Sequence, residues 1–187
     1  MKILLSLLLI FSTASLYGDL SLYVDFTNVR PSWSGSWYNP EQSGHGINVE
    51  ILDEERSIIY WYTYDPQGEP IWLVAQGVNH YVPNSQVWAG DLPSPGITIE
   101  GTAYFHEGMI HGDFDPATND RREWGTIELE FDYWDCDHAL LEWYPVMAGF
   151  SQGSTRLRRL STVNGMDCVD WQDTAGNWEV QFGFDAE

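Results

Sequence analysis

Residues 126–133 read Thr-Ile-Glu-Leu-Glu-Phe-Asp-Tyr, and this octet decides the fold class. Ile127, Leu129, Phe131 and Tyr133 alternate with Glu128, Glu130 and Asp132. Successive side chains of an extended strand point to opposite faces. The octet therefore makes a strand with one apolar side and one side of three carboxylates, while a helix would scatter both kinds around its circumference. The apolar side belongs against a core, and the carboxylates are expected in water.

The same period of two recurs on either side of it. Ile47, Val49 and Ile51 alternate with Asn48 and Glu50; Ile97, Ile99, Ala103 and Phe105 alternate with Thr98, Glu100, Thr102 and Tyr104. Trp178, Val180, Phe182 and Phe184 repeat it late in the chain. Ile58–Tyr64 is apolar on both faces, as suits a central strand or one lining a wet aromatic interior. Turn chemistry separates the runs. Asp65-Pro66-Gln67-Gly68 places Pro where its fixed φ suits a turn and Gly where φ can be positive. Further turns are expected at Asp53–Glu55, Pro93–Gly96 and Glu107-Gly108, the last between Tyr104 and Phe114. Counting gives about nine or ten strands joined mostly by short links. An antiparallel meander of that length must hide its edges, so the expected fold is an all-β barrel, calycin-like, with a β-sandwich as the alternative.

At the start of the chain Lys2 precedes an apolar run, Ile3–Phe11, broken only by Ser6 and followed by small polar residues. That is an export-signal pattern, about half the ~20 residues needed to cross a bilayer, so no lasting membrane span is expected. The expected organisation is a signal peptide at 1–18, a lead-in at 19–34 and one all-β domain at 35–187. The destination would be periplasmic or extracellular. In such a compartment Cys136 and Cys168, the only cysteines, are expected to pair. Closing their loop of about 32 residues would stabilise by roughly 3–4 kcal/mol in the chain-entropy model. With 8 basic against 28 acidic residues the net charge is −20, which repels nucleic acid and anionic lipid while attracting cations or a basic protein. The simpler reading of such acidity is a solvated exterior.

The most distinctive stretch is SGSWYNPEQSGHG, Ser34–Gly46, followed by YWYTYDPQGEPIWL, Tyr60–Leu73. This pairing resembles a family of secreted bacterial proteins, mostly proteobacterial, that share WYNP-x-QSG-x-G, a WYTYD-x-x-G-x-P-x-W hairpin and a late Arg-Leu segment, here Thr155–Leu160. The matching residues are Trp37, Tyr38, Asn39, Pro40, Gln42, Ser43, Gly44 and Gly46, then Trp61–Asp65, Gly68, Pro70 and Trp72. The resemblance is specific over residues 34–77 and implies an all-β fold without an assigned activity. Gly35–Tyr38 is also similar to the Gly-x-Trp opening of lipocalins. Trp37 with Asn39 is similar to the start of streptavidin-like proteins. In lipocalins that Trp packs beneath a late Arg, a place Arg156, Arg158 or Arg159 would fill, although no C-terminal helix is evident from the sequence after them.

Candidate binding residues come from two features. Gln42–Gly46 packs polar residues between glycines, which suits either a recognition loop or a tight strand entry. Ten Trp, ten Tyr and eight Phe exceed what a core of this size requires. Trp37, Trp61 and Trp72 are then either pillars of the core or flat faces for a ring-shaped ligand. The candidate site is Trp37, Tyr38, Asn39, Ser43, His45, Trp61, Tyr62 and Trp72.

Catalytic chemistry finds little footing. His106–His111 reads HEGMIH, one residue too long for the zinc-binding HExxH, and the scattered histidines suggest no metal site. Asp113, Asp115, Asn119 and Asp120 carry oxygen ligands for calcium but lack the EF-hand Gly and bidentate Glu, so a solvated loop is preferred. No nucleophile elbow is read: Gly149–Gly153 spells Gly-x-Ser-x-Gly, but it lies in a stretch read as all-β, without the strand-to-helix turn that the motif needs. Only a carboxylate pair assembled from distant strands would make a hydrolase. The expected function is a non-catalytic module for a small molecule or glycan, with no cofactor. The alternative is an acidic module or inhibitor that captures a basic protein, and a hydrolase ranks last.

Overall fold

The computed structural model describes residues 29–87, 95–108, 111–112, 115–133 and 135–166. Eight strands run through them: β1 Gly35–Tyr38, β2 Gly46–Ile51, β3 Arg56–Tyr64, β4 Pro70–Val82, β5 Gly96–Glu107, β6 Asp120–Asp132, β7 His138–Pro145 and β8 Gly153–Arg159. Each pairs antiparallel with the next, and β8 returns to β1 to close a barrel. The seam is short, Trp37 opposite Arg159 and Tyr38 opposite Arg158. Closure removes both sheet edges, as a meander of this length requires. The described strands number eight rather than nine or ten. Residues 19–28 and 178–184, with Trp178, Val180, Phe182 and Phe184, lie outside the described residues.

The octet behaves as its period dictates. Ile127, Leu129 and Phe131 are fully buried. Ile59, Leu73, Ile99, Leu141 and Leu157 meet them from the other strands. The interior is thus packed with side chains, and a row of glutamates, Glu100, Glu128 and Glu142, faces outward. No described helix is long and apolar enough to cross a membrane.

Two expectations need correction. Glu130 and Asp132 do not stand in water: they are 8% and 0% exposed. The Glu130 carboxylate accepts the Gln86 N–H, and Arg156 Nη1 donates to the Val87 carbonyl at 2.9 Å. Glu130, Leu140 and Arg156 sit side by side on β6, β7 and β8. Gln86 and Val87, beyond β4, therefore lie across the outside of these strands and cover Glu130, which alternation alone leaves exposed. Second, β5 and β6 are not joined by a tight hairpin near residue 108. Gly108 does turn the chain at φ +88°, but β6 begins only at Asp120, and Phe114 lies outside the described residues. The Asp65–Gly68 turn is as expected, with the Gly68 N–H donating to the Asp65 carbonyl at 3.0 Å and φ +87° at Gly68.

Aromatic groups fill the barrel's two ends. At one, a single 3-10 turn, Pro31–Trp33, tucks Trp33 under the barrel, its indole stacked on Phe131 at 4.9 Å. Trp37 leans on the same Phe131 at 5.1 Å, and the Arg159 guanidinium lies over the Trp37 ring at 4.6 Å. Of the three late arginines it is Arg159 that lies over Trp37, while Arg156 and Arg158 are exposed. Its Nε donates to the Cys136 carbonyl at 2.6 Å and its Nη1 to the Ser32 carbonyl at 2.5 Å, so one side chain ties three segments together. Burial lowers its pKa, opposed by Asp137 and Asp135. At the opposite end Trp61 packs against Trp124 at 5.5 Å and Trp143 at 5.1 Å.

Candidate functional site

The register places one outward row across the seam. Arg158 on β8 stands beside Tyr38 on β1, Tyr38 beside Gly46 on β2, Gly46 beside Tyr62 on β3, and Tyr62 beside Trp72 on β4. Neighbouring strands lie about 4.8 Å apart, so Tyr38 and Tyr62 stand roughly two strand spacings from each other. Gly46 between them carries no side chain. A groove of about 420 Å³ opens there, floored by Gly46 and walled by Tyr38 and Tyr62. Ser36 and Asn48 line it further along the strands, Ser43–His45 border it at the loop, and Leu160 flanks the seam. A Cβ at Gly46 would come to 2.7 Å from the Trp37 carbonyl oxygen and 3.5 Å from the Tyr38 Cβ, so both the backbone and the hollow call for glycine.

The polar loop is fixed from both sides. Asn39 Nδ2 donates to Thr155 Oγ1 at 2.7 Å, and Asn39 Oδ1 accepts the Glu41 N–H at 2.8 Å. The Thr155 hydroxyl donates to Gln42 Oε1 at 3.4 Å, and His45 Nε2 lies 3.3 Å from that same oxygen. From β3, the Tyr64 hydroxyl donates to the Gly44 carbonyl at 3.1 Å. Gly44 has φ +103°, a backbone that L side chains rarely adopt. Burial pushes the His45 imidazole below its ordinary pKa. The loop is thereby pre-shaped, and a ligand need not order it.

The predicted residues divide into three groups. Tyr38, Ser43, His45 and Tyr62 come together on the groove. Trp37 and Trp61 are interior pillars, 1% and 4% exposed; of Trp37, only part of the groove's base is formed. Asn39 holds the loop in place without lining the hollow. Trp72, read as either pillar or ligand face, is 47% exposed and stacks on His106 at 5.9 Å, so it is no pillar. The sequence reading missed Gly46 as the floor and Leu160 and Arg158 as seam neighbours. The signal was present in the register, since Gly46 and Tyr62 pair only once the hairpin is set.

Other expected sites gain no ligand geometry. Asp115 accepts the Ala117 N–H at 2.9 Å, Asp120 pairs with Arg122 at 2.6 Å, and Asp113 lies outside the described residues. No cluster of three metal-ligating side chains occurs among the described residues. Cys136 is buried, while Cys168, its expected partner, lies outside the described residues. No family model, curated protein or solved structure matches the chain.

Proposed function

We propose that this β-barrel is an exported, non-catalytic binding module, and that its ligand is a sugar ring or glycan segment held on the outside of the wall over Gly46. The observation that carries this reading is the pair Tyr38 and Tyr62 flanking a missing side chain, with Tyr62 55% exposed. Aromatic faces stack on the C–H faces of sugars, and their hydroxyls give direction. Ser36, Ser43 and Asn48 supply hydroxyl and amide groups around the same hollow. Because the interior is packed, recognition moves to the exterior, where Trp72 continues the aromatic row. None of the residues lining the groove is a carboxylate, so the groove holds no acid pair for glycoside hydrolysis. Export rests on the apolar run Ile3–Phe11.

Calorimetry against neutral and acidic oligosaccharides tests the proposal. The expected result is saturable binding that weakens about tenfold in Tyr62→Ala, the scale of ~1.4 kcal/mol for one lost stacking face. Absence of binding to every sugar class, or binding indifferent to Tyr38→Ala and Tyr62→Ala, overturns it.

A second reading has its own observation. Glu100, Glu128 and Glu142 form one outward row across β5, β6 and β7, a surface suited to a basic protein. Such capture would weaken steeply with added salt, and salt-insensitive association would exclude it.

A further inference from the structure

The groove does not end at Tyr38. One strand further, across the seam, stands Arg158, and a second hollow of about 410 Å³ adjoins the first at Leu160. It is lined by Asp137, His138, Arg158, Arg159, Ser161 and Thr162 among others. Side chains directly opposite each other on paired strands lie within reach of one ligand.

Arg158 differs from the other described arginines in what its fork meets. Arg56, Arg122 and Arg159 face the carboxylates of Asp53, Asp120 and Asp137. Arg30 and Arg121 lie over the Tyr133 and Tyr104 rings, and Arg156 donates to the Gln86 and Val87 carbonyls. Arg158 alone spends only its Nε, which donates to His138 Nε2 at 3.2 Å. An arginine can only donate, so His138 Nε2 is the acceptor and the imidazole proton sits on Nδ1, facing Asp135 Oδ2 at 2.7 Å. The Asp135–His138 pair orients the guanidinium from its Nε side. Its two Nη groups have no hydrogen-bond or ion-pair partner among the described residues, and the side chain is exposed.

From this geometry we infer that the ligand of the groove is an acidic saccharide, whose ring lies between Tyr38 and Tyr62 and whose oxyanion is taken by the Nη groups of Arg158. The inference rests on the groove reading above and names the class of ligand for it. A planar fork matches a carboxylate or phosphate with two parallel N–H···O bonds, and prior orientation lowers the cost of forming them. Ser161 and Thr162 add hydroxyl donors in the same hollow. The chain's net charge of −20 does not defeat this. The glutamate row lies on β5–β7, and exposed charges more than about 8 Å apart are largely screened at physiological salt. Nearer by, Asp137 lines the hollow with its charge offset by Arg159 at 3.4 Å, and Asp135 is turned toward the His138 ring.

The test uses the full chain with three probes of matched length: a neutral hexose oligomer, a uronic acid oligomer and a phosphorylated hexose oligomer. Wild-type protein should bind at least one acidic probe about tenfold more tightly than the neutral one, with the advantage shrinking as salt rises. Whichever acidic probe wins identifies the oxyanion. In Arg158→Gln that advantage should fall below twofold, whereas Arg156→Gln, which removes an equal charge from the same strand outside the groove, should keep it. Equal binding of all three probes, or an acidic preference that survives Arg158→Gln, overturns the inference and leaves the groove standing. Failure of all three probes to bind removes the groove reading itself.

Discussion

The barrel wears two unlike exteriors over one continuous interior. On β5, β6 and β7 the outward row is Glu100, Glu128 and Glu142; on β8 through β4 it is Arg158, Tyr38, Gly46, Tyr62 and Trp72. Inside, both halves contribute the same kind of buried aliphatic and aromatic side chains. Folding asks only that the inward positions be apolar, and it leaves the outward ones free. The acidic half fills that freedom with carboxylates. The aromatic half keeps large rings half in water, with Tyr62 at 55% and Trp72 at 47% exposure, which stability does not require.

The sharpest break of this comparison sets an inward aromatic against its outward neighbour. Trp37→Ala should cost about 3–5 kcal/mol in a urea melt, the range for emptying a buried aromatic site. Tyr62→Ala should cost under about 1 kcal/mol, as for an exposed position. An equal loss for both would make the outer wall a structural element and remove its functional meaning. Next in size, Arg159→Leu should lower stability by about 2 kcal/mol, because the Ser32 and Cys136 carbonyls lose a charged donor. A loss near zero would mean that Trp33 and Trp37 seal that end unaided. Asn39→Ala should cost about 1 kcal/mol by freeing the Thr155 hydroxyl and the Glu41 N–H, and amide exchange should rise in residues 40–45 while the rest of the barrel stays protected.

The smallest effect belongs to the acidic half. Burial first, then Glu100, Glu142 and Glu130, raise the Glu128 pKa above its ordinary value. A raised carboxyl pKa means the folded state holds its proton at a pH where the unfolded chain has released it. The cost of ionising Glu128 is therefore absent below about pH 4.3, the unfolded value, and grows as pH rises through the higher folded one. Glu128→Gln should accordingly melt a degree or two above the parent at pH 7 and together with it at pH 3. A variant less stable at pH 7 would show that the row is held by something other than mutual repulsion.

Much of this fold was legible in residues 126–133, because a period of two with a uniformly apolar side admits few alternatives. The turn at Asp65–Gly68 was equally legible, since Pro and Gly act through their own backbone limits. What alternation could not give was which outward residues another segment later covers. Glu130 carries the same local signal as Glu128, and only Gln86 and Val87 lying across β6–β8 tell the two apart. The site followed the same rule. Tyr38, Ser43, His45 and Tyr62 stood out as polar or aromatic residues near glycines, but Trp37 and Trp61 carried an identical signal and face inward. Parity along the strand separates them, and parity is fixed by the pairing partner. Arg158 was visible only as one of three late arginines; its neighbour Tyr38 lies 120 positions earlier in the chain, and only ring closure brings them together.

That closure has a consequence for how this protein would behave as a receptor. The hollow borrows Tyr38 and Gly46 from the first two strands and Leu160 from beyond the last, so neither terminus alone owns it. An occupant would act as a clasp across the shortest strand pairing of the ring, where two register pairs are supplemented by Leu160 and Ser161 bonding to Ser36. Loading the site should then slow fraying of the seam in hydrogen exchange more than any other part of the wall.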